Sequence, residues 1–560
     1  LLLMSLAACA PGGGTVSRAA SGSGHASAAA SGAKAGAKAI RLGPADPARA
    51  LTLSFPLARR ASSDLTALLA AISDPHSPQY QHYLTAAQYA AAFGASQAER
   101  DRAVAALQAL GLTVTADGAD SGLAQARGDV SRIESDFGVQ LYDYRAADGS
   151  RYIAADGAPR LPAALAAVVT GVIGLDTRPA VRRTPTTGSG AALAARQASG
   201  GGLDPSALRA VYDVTPLAAK GLDGSGQTVA LAEIDQYRQS DVAQYDAAFA
   251  LSAPAPRVIS VAGGSRTASP EPVLDIEVLH AIAPKAQILV YESGADLRSL
   301  AQMFGQIVSD NRAQIVSISL GACEIGLDPA SASSFLDALN ADFQRADAQG
   351  MSVLVASGDS GAYGCQDNHL AVDLPGSSPY VTSVGGTALF PAADGGYGRE
   401  DGWEGPLEAA GGGGGLSAIY HRPAWQTGLG VRNNYSNGMR QTPDVSADAD
   451  PLTGYRIYYS GGNDCSGQDC WTVVGGTSAA APFWAGLIAL ANQAGNRKLG
   501  FLNPALYAIG QASASNASGA AFHDVTGGGN LYYPATPGWD FSSGWGSPDA
   551  AALVAGLLAR

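Results

Sequence analysis

Residues 479–491 read AAAPFWAGLIALA, thirteen positions without a charge, so a helix there has no polar face to turn toward water. A chain with such a helix must wrap other layers around it. At 560 residues and 46% apolar side chains, this one can supply the core, and its length implies two or three domains. The small residues Gly475-Gly476-Thr477 permit a tight turn just before the run. Ser478 then stands at the helix start, where its hydroxyl can reach a cleft. A serine hydroxyl is a weak nucleophile until a base takes its proton. The seven histidines are His25, His76, His82, His280, His369, His421 and His523, and none stands in a His-Gly-Thr setting. Carboxylates are the remaining candidates.

From Leu203 onward the pattern is α/β. Thr228–Leu231, Ala286–Tyr291, Ile315–Ser319 and Ser352–Ala356 read as apolar strands of a parallel sheet, with helices between them. Site chemistry in such sheets gathers beyond the carboxyl ends of the strands. Earlier in the chain the texture is that of a small α+β domain over 45–182. Strands are expected at 51–55, 112–115 and 140–144, and helices at 61–72, 96–110 and 130–137.

Residues 1–44 begin with LLLMSLAAC, which resembles the end of a lipoprotein signal with Cys9 as the lipidated residue. A Gly/Ser/Ala tether follows. The protein is therefore expected to be exported, either secreted or held at the cell envelope. Residues 183–202 form a second polar linker, next to Arg182 and containing Arg183 and Arg196, where a protease would cut. Residues 203–560 make up the larger domain. Four further cysteines allow three pairings. Cys465 and Cys470, five apart in a polar loop, are expected to pair, leaving Cys323 for Cys365. A net charge of −13 argues against a nucleic-acid partner. The protein is expected to be a monomer.

Glu271-Pro272-Val273-Leu274-Asp275 opens a segment that reads as a helix to Ala281, with proline tolerated in the first turn. Glu271 and Asp275 are i and i+4, so their carboxyls point the same way. In a poorly solvated site two such groups share a proton, and one pKa rises. Alone, the pair would read as a solvated helix face. Asp359 lies in Ser357-Gly358-Asp359-Ser360-Gly361, just past the strand 352–356. Alone, it would read as an ordinary turn aspartate.

These elements occur in a particular order: a strand ending at Glu233, then E-P-V-L-D, S-G-D-S-G, P-D-V-S-A-D-A-D-P at 443–451 and G-G-T-S-A-A-A-P at 475–482. In that order they resemble the sedolisins, or serine-carboxyl peptidases, over residues 45 to 560. The resemblance implies a subtilisin-like parallel sheet of seven strands between helices, preceded by a ferredoxin-like activation propeptide that inhibits its own peptidase domain. It implies protein or peptide substrates cut in acid. Ser478 takes the place of the nucleophile, Glu271 of the general acid/base, Asp275 of the carboxyl that shares its proton, and Asp359 of the oxyanion donor. Glu233 matches an outer carboxyl. Leu320 stands where some members have a tryptophan, which would leave Glu271 more solvated. The cysteines at 323 and 365 match a disulfide of some relatives.

Near the C-terminus, Asp524-Val525 opens a Gly-rich loop that closes at Thr536-Pro537-Gly538-Trp539-Asp540. Calcium takes six or more oxygens from carboxylates, carbonyls and water. By composition alone this is a surface loop. The resemblance makes it a structural Ca²⁺ site of two aspartate side chains, Asp524 and Asp540, with carbonyls of Val525, Thr536 and Gly538. Three features are expected to lie outside the chemistry. The run Gly411–Gly415 reads as a flexible loop that can border the cleft, His280 reads as a packed residue, and Asp235 has no triad histidine to orient.

Overall fold

The computed structural model describes residues 39–181 and 201–560, except 120, 266, 328, 406–408, 463–464, 466–469 and 515–518. Cys9, the tether up to 38 and most of the 183–202 linker lie outside these. Seven parallel strands form the central sheet. In space they run Arg257–Ser260, Gln287–Glu292, Thr228–Glu233, Ile315–Ile318, Ser352–Ala356, Thr382–Phe390 and Val445–Asp448. Arg399–Gly402 adds an antiparallel strand at the far end of Thr382–Phe390. Four of the seven were expected. The other three carry weak signals: Arg257–Ser260 is a largely exposed edge, Thr382–Phe390 is interrupted by Gly385-Gly386, and Val445–Asp448 is half polar.

Helices Glu271–Ile282 and Thr477–Gly495 pack together on one face of the sheet, and Leu297–Asp310 with Pro329–Ala348 cover the other. All twelve residues of the first helix are buried. Each buried Val, Leu or Ile in it contributes about 1.5–3 kcal/mol, which offsets the cost of the carboxyls buried beside them. A Cβ on Gly486 would lie 2.8 Å from Ile282 Cβ. Glycine there lets the two helices cross closely, and this sets the distance between the acid pair and Ser478.

The N-terminal unit contains two three-stranded antiparallel sheets, Ala50–Pro56/Leu123–Asp129/Thr113–Asp117 and Ile40–Pro44/Gln140–Arg145/Arg151–Asp156. Strand Ile40–Pro44 falls within the stretch assigned to the tether, so the folded unit starts earlier than residue 45. It is a short, exposed, glycine-containing strand held by backbone pairing, without the apolar alternation that marks a strand. The unit docks on helices Leu297–Asp310 and Pro329–Ala348 and on the loop that follows the Ser478 helix. Gln302 Nε2 donates to Ser54 Oγ at 3.1 Å, and the Tyr83 hydroxyl donates to the Leu499 carbonyl at 2.7 Å. Its exit segment runs back toward the peptidase unit, where Ala180 N–H donates to the Ala295 carbonyl at 2.8 Å and Val181 packs by Leu297 and Leu320. The disulfides are Cys323–Cys365 and Cys465–Cys470, the expected pairs.

Candidate active site

Ser478 sits in the first turn of its helix because Gly476, at φ +118°, takes a backbone shape that other residues avoid. The Glu271–Ile282 helix crosses beside it, and strands 228–233 and 315–318 end nearby. Glu271, Asp275, Glu233 and Ser478 are all at most 1% exposed. The Ser478 hydroxyl approaches Glu271 closely enough to ease its ionisation, although the contact falls outside regular hydrogen-bond geometry. Among the described residues no histidine contributes to this cluster.

Burial is the main reason that the Glu271 carboxyl is pushed well above its usual range, and the neighbouring Asp275, Asp359 and Asp235 push it further. Glu233 rises for the same reason, with Asp275 and Glu271 as its charged neighbours. Burial lifts Asp275 to about 8, while hydrogen bonds from Ser319 and Glu233 restrain it. These are acids held neutral by their surroundings and coupled through shared protons. Leu320 does not expose them, contrary to the expectation drawn from its replacing tryptophan. Leu320 is itself buried, among Leu300, Phe304 and Phe335, and Glu271 is sealed by the packed helices instead.

Asp359 lies on the turn after strand 352–356, 5% exposed. Thr477 N–H and its hydroxyl both donate to Asp359 Oδ1 at 2.7 Å, and Gly358 N–H donates back to Thr477 Oγ1 at 3.1 Å. This ring clamps the turn to the start of the Ser478 helix. The run Gly411–Gly415, expected to be flexible, is instead buried against the same turn. Gly411 N–H donates to the Asp359 carbonyl at 3.0 Å, and Gly413 N–H to the Gly358 carbonyl at 2.7 Å. A Cβ at Gly413 would lie 2.2 Å from the Ser357 carbonyl oxygen, which leaves room for no side chain. Gly413→Ala is therefore expected to cost about 1–3 kcal/mol in urea unfolding and to lower turnover at least about tenfold by shifting Asp359. Unchanged turnover would show that the run is a spacer only.

The structure also brings in Ser319, Thr477 and the glycine run, which the sequence reading did not assign. The sequence signal for Ser319 was present in Ile315-Val316-Ser317-Ile318-Ser319, where serines at alternate positions of an apolar strand share one face. Asp235, 1% exposed, joins the acid cluster as a neighbouring charge. His280 is fully buried and lies with Nδ1 2.9 Å from Asp246 Oδ1, a packed residue as expected.

At the C-terminal loop, Gly538 N–H donates to both oxygens of Asp524 at 3.2 and 3.0 Å, and Thr536 N–H to Asp540 Oδ2 at 2.7 Å. Two carboxylates thus hold one turn from opposite ends, with Val525 buried between strands of the same region. Asp540 Oδ1 accepts in addition from the N–H groups of Ser542 and Ser543, each at 2.8 Å.

A family profile described as "Pro-kumamolisin, activation domain" matches residues 37–178, and one described as "Subtilase family" matches 257–546. The chain is 34% identical to kumamolisin from Bacillus sp., over 93% of this chain and 94% of that protein. It is 28% identical to human tripeptidyl-peptidase 1, over 93% of each. Among solved structures, Pseudomonas sedolisin, a serine-carboxyl proteinase complexed with two molecules of pseudo-iodotyrostatin, superposes with a TM-score of 0.55 at 32% identity. That match covers 64% of this chain and 98% of the other.

Proposed function

This chain belongs to the sedolisin family of serine-carboxyl peptidases and carries that family's activation domain; on that footing we propose that Ser478 is the nucleophile of an acid-acting endopeptidase. The observation that carries the reading is the Ser478 hydroxyl beside Glu271 in a buried carboxyl cluster without an imidazole. Glu271 accepts the serine proton as Oγ attacks the scissile carbonyl, then returns it to the leaving amine. To act as the base Glu271 must first be ionised, and because Asp275 shares a proton with Glu271 and Glu233, that one negative charge is spread over the cluster until the serine proton neutralises it. Asp359, whose Oδ1 takes the two Thr477 donors, supplies in its acid form a hydrogen bond to the oxyanion together with a backbone N–H of the Ser478 turn. Water then resolves the acyl-enzyme. The precursor is cut within 183–202, and the exit segment paired to Ala295 supports delivery of the linker to the same cleft.

The pH dependence follows in sign. Glu271, Glu233 and Asp275 bind protons in the folded protein that the unfolded chain releases from about pH 4 upward, so the folded state loses stability as pH rises through their raised values, about 8 for Asp275. Casein digestion is expected to be fastest near pH 4 and to collapse as the solution passes neutrality, with Tm falling over the same range. Full activity and a flat Tm from pH 4 to pH 8 would rule out the acid mechanism.

The oxygen donors around Asp524 and Asp540 fit one structural Ca²⁺, held by those two side chains and the carbonyls of Val525, Thr536 and Gly538. A bound ion at a hundred times its Kd stabilises by about 2.7 kcal/mol, so chelation should lower Tm by several degrees and added calcium should restore it. Asp524→Asn keeps an acceptor for Gly538 N–H but lacks the charge, and its Tm should no longer respond to calcium. A wild-type Tm indifferent to both treatments counts against the site. The segment ending Leu6-Ala7-Ala8-Cys9 supports export with a lipid on Cys9.

A further inference from the structure

Ser319 lies one residue past strand 315–318, fully buried, beneath the crossing of the two central helices. Its hydroxyl has two acceptors in reach: Asp275 Oδ2 at 2.7 Å and the main-chain carbonyl of Ser478 at 3.3 Å. The second contact has a local cause. In an α-helix the carbonyl of residue 478 accepts from the N–H of residue 482, four positions on. Residue 482 is proline, which has no N–H and whose ring crowds that carbonyl. The Ser478 carbonyl is thereby turned out of the helix ladder, and Ser319 is the side chain that meets it. One hydroxyl thus ties the nucleophile's own peptide to the acid that backs the base.

We infer that Ser319 is a positioning residue that occupies Asp275 Oδ2 and so reserves Asp275 Oδ1 for the proton shared with Glu271 and Glu233. Asp275 Oδ1, both oxygens of Glu271 and both of Glu233 are buried without regular partners of their own. These are the atoms between which a proton must pass. With Asp275 ionised, the Ser319 hydrogen points to Oδ2. With a proton on Oδ2, Asp275 donates to Ser319 Oγ, and the Ser319 hydrogen turns to the Ser478 carbonyl. The groups facing Asp275 are Glu271 on its own helix, Glu233 at the end of its strand and Ser319. Loss of the hydroxyl removes a donor that favours the ionised form, so Asp275 holds its proton to higher pH.

The test measures kcat and KM across pH 3 to 9 on a peptide substrate, using precursor processed in trans by wild-type enzyme where a variant cannot process itself. Ser319→Ala is expected to lower kcat roughly 10–100-fold with KM within about twofold, and to move the alkaline limb up by about half to one pH unit. Ser319→Thr keeps the hydroxyl and should restore the limb. Pro482→Ala returns an N–H to the Ser478 carbonyl and should leave the limb in place while cutting kcat less than Ser319→Ala does. A Ser319→Ala profile whose limb stays put, whether or not kcat falls, overturns the inference. If Ser319→Ala fails to fold, a Ser319→Thr limb displaced from that of the wild type overturns it, and an unmoved one supports it. The inference rests on the proposed roles of Ser478 and Asp275. Turnover that survives Ser478→Ala removes both, whereas a silent Ser319→Ala beside an inactive Ser478→Ala removes this inference alone.

Discussion

Ser478→Ala is expected to lower kcat by about 10⁴–10⁶-fold, with the precursor left at full length after incubation at acid pH. The size of the effect comes from the absence of any substitute. Ser478 carries the hydroxyl facing Glu271, the buried cluster contains no imidazole, and the next three positions are alanines. Residual rate can come only from the groups that bind substrate and stabilise the oxyanion. The fold should not suffer, because alanine is a good helix former at a position already packed against small residues. Tm should therefore remain within a few degrees of the wild-type value. Gel analysis of purified precursor at acid pH decides the matter. Normal self-processing by the alanine variant, with no other protease present, would remove Ser478 from the nucleophile's role.

Asp359 provides the second large effect, and its two replacements should diverge. Asp359→Ala loses both the oxyanion donor and the acceptor that Thr477 grips with its N–H and hydroxyl. A fall in kcat of about 10²–10³-fold is expected from the missing donor, with more from the loosened turn. Asp359→Asn keeps a carbonyl oxygen for the two Thr477 donors and presents an amide N–H₂ where the acid must otherwise carry a proton. It should retain most of the acid activity and lose less of it as pH rises, because an amide does not titrate. Side-by-side pH–rate profiles are the measurement. Equal losses in the two variants, at every pH, would mean that Asp359 does no more than hold the turn.

The candidate site was legible to different depths. Glu271 and Asp275 could be placed on one helix face and Ser478 at the start of an apolar helix, but their roles came from the ordered motifs that resemble the sedolisins, since alone the pair reads as a solvated helix face. Asp359, alone an ordinary turn aspartate after an apolar strand, was assigned by the same resemblance. Ser319 carried a faint signal, a polar residue in an apolar strand, with nothing to say which acceptor it would meet. The glycines 411–415 carried a misleading one. Five glycines leave a free chain flexible, but here the missing side chains at Gly411 to Gly414 make room for other backbone and the one at Gly415 for Tyr533 and Val372, so the run packs in place. The edge strands 40–44 and 257–260 escaped notice because backbone pairing, not apolar alternation, holds them.

Local order along the chain determined the buried helices, the apolar strands, the paired acids and the cysteine partners, since each depends on residues within a few positions of one another or on a short count of thiols. Which carboxyls stay neutral, which hydroxyl holds Asp275, and which backbone braces Asp359 were decided only by tertiary structure. Those properties depend on dielectric and on close approach between segments tens to hundreds of residues apart. Asp275 is an ordinary acid in the unfolded chain, and it titrates near 8 only because two helices and the sheet exclude water from around it.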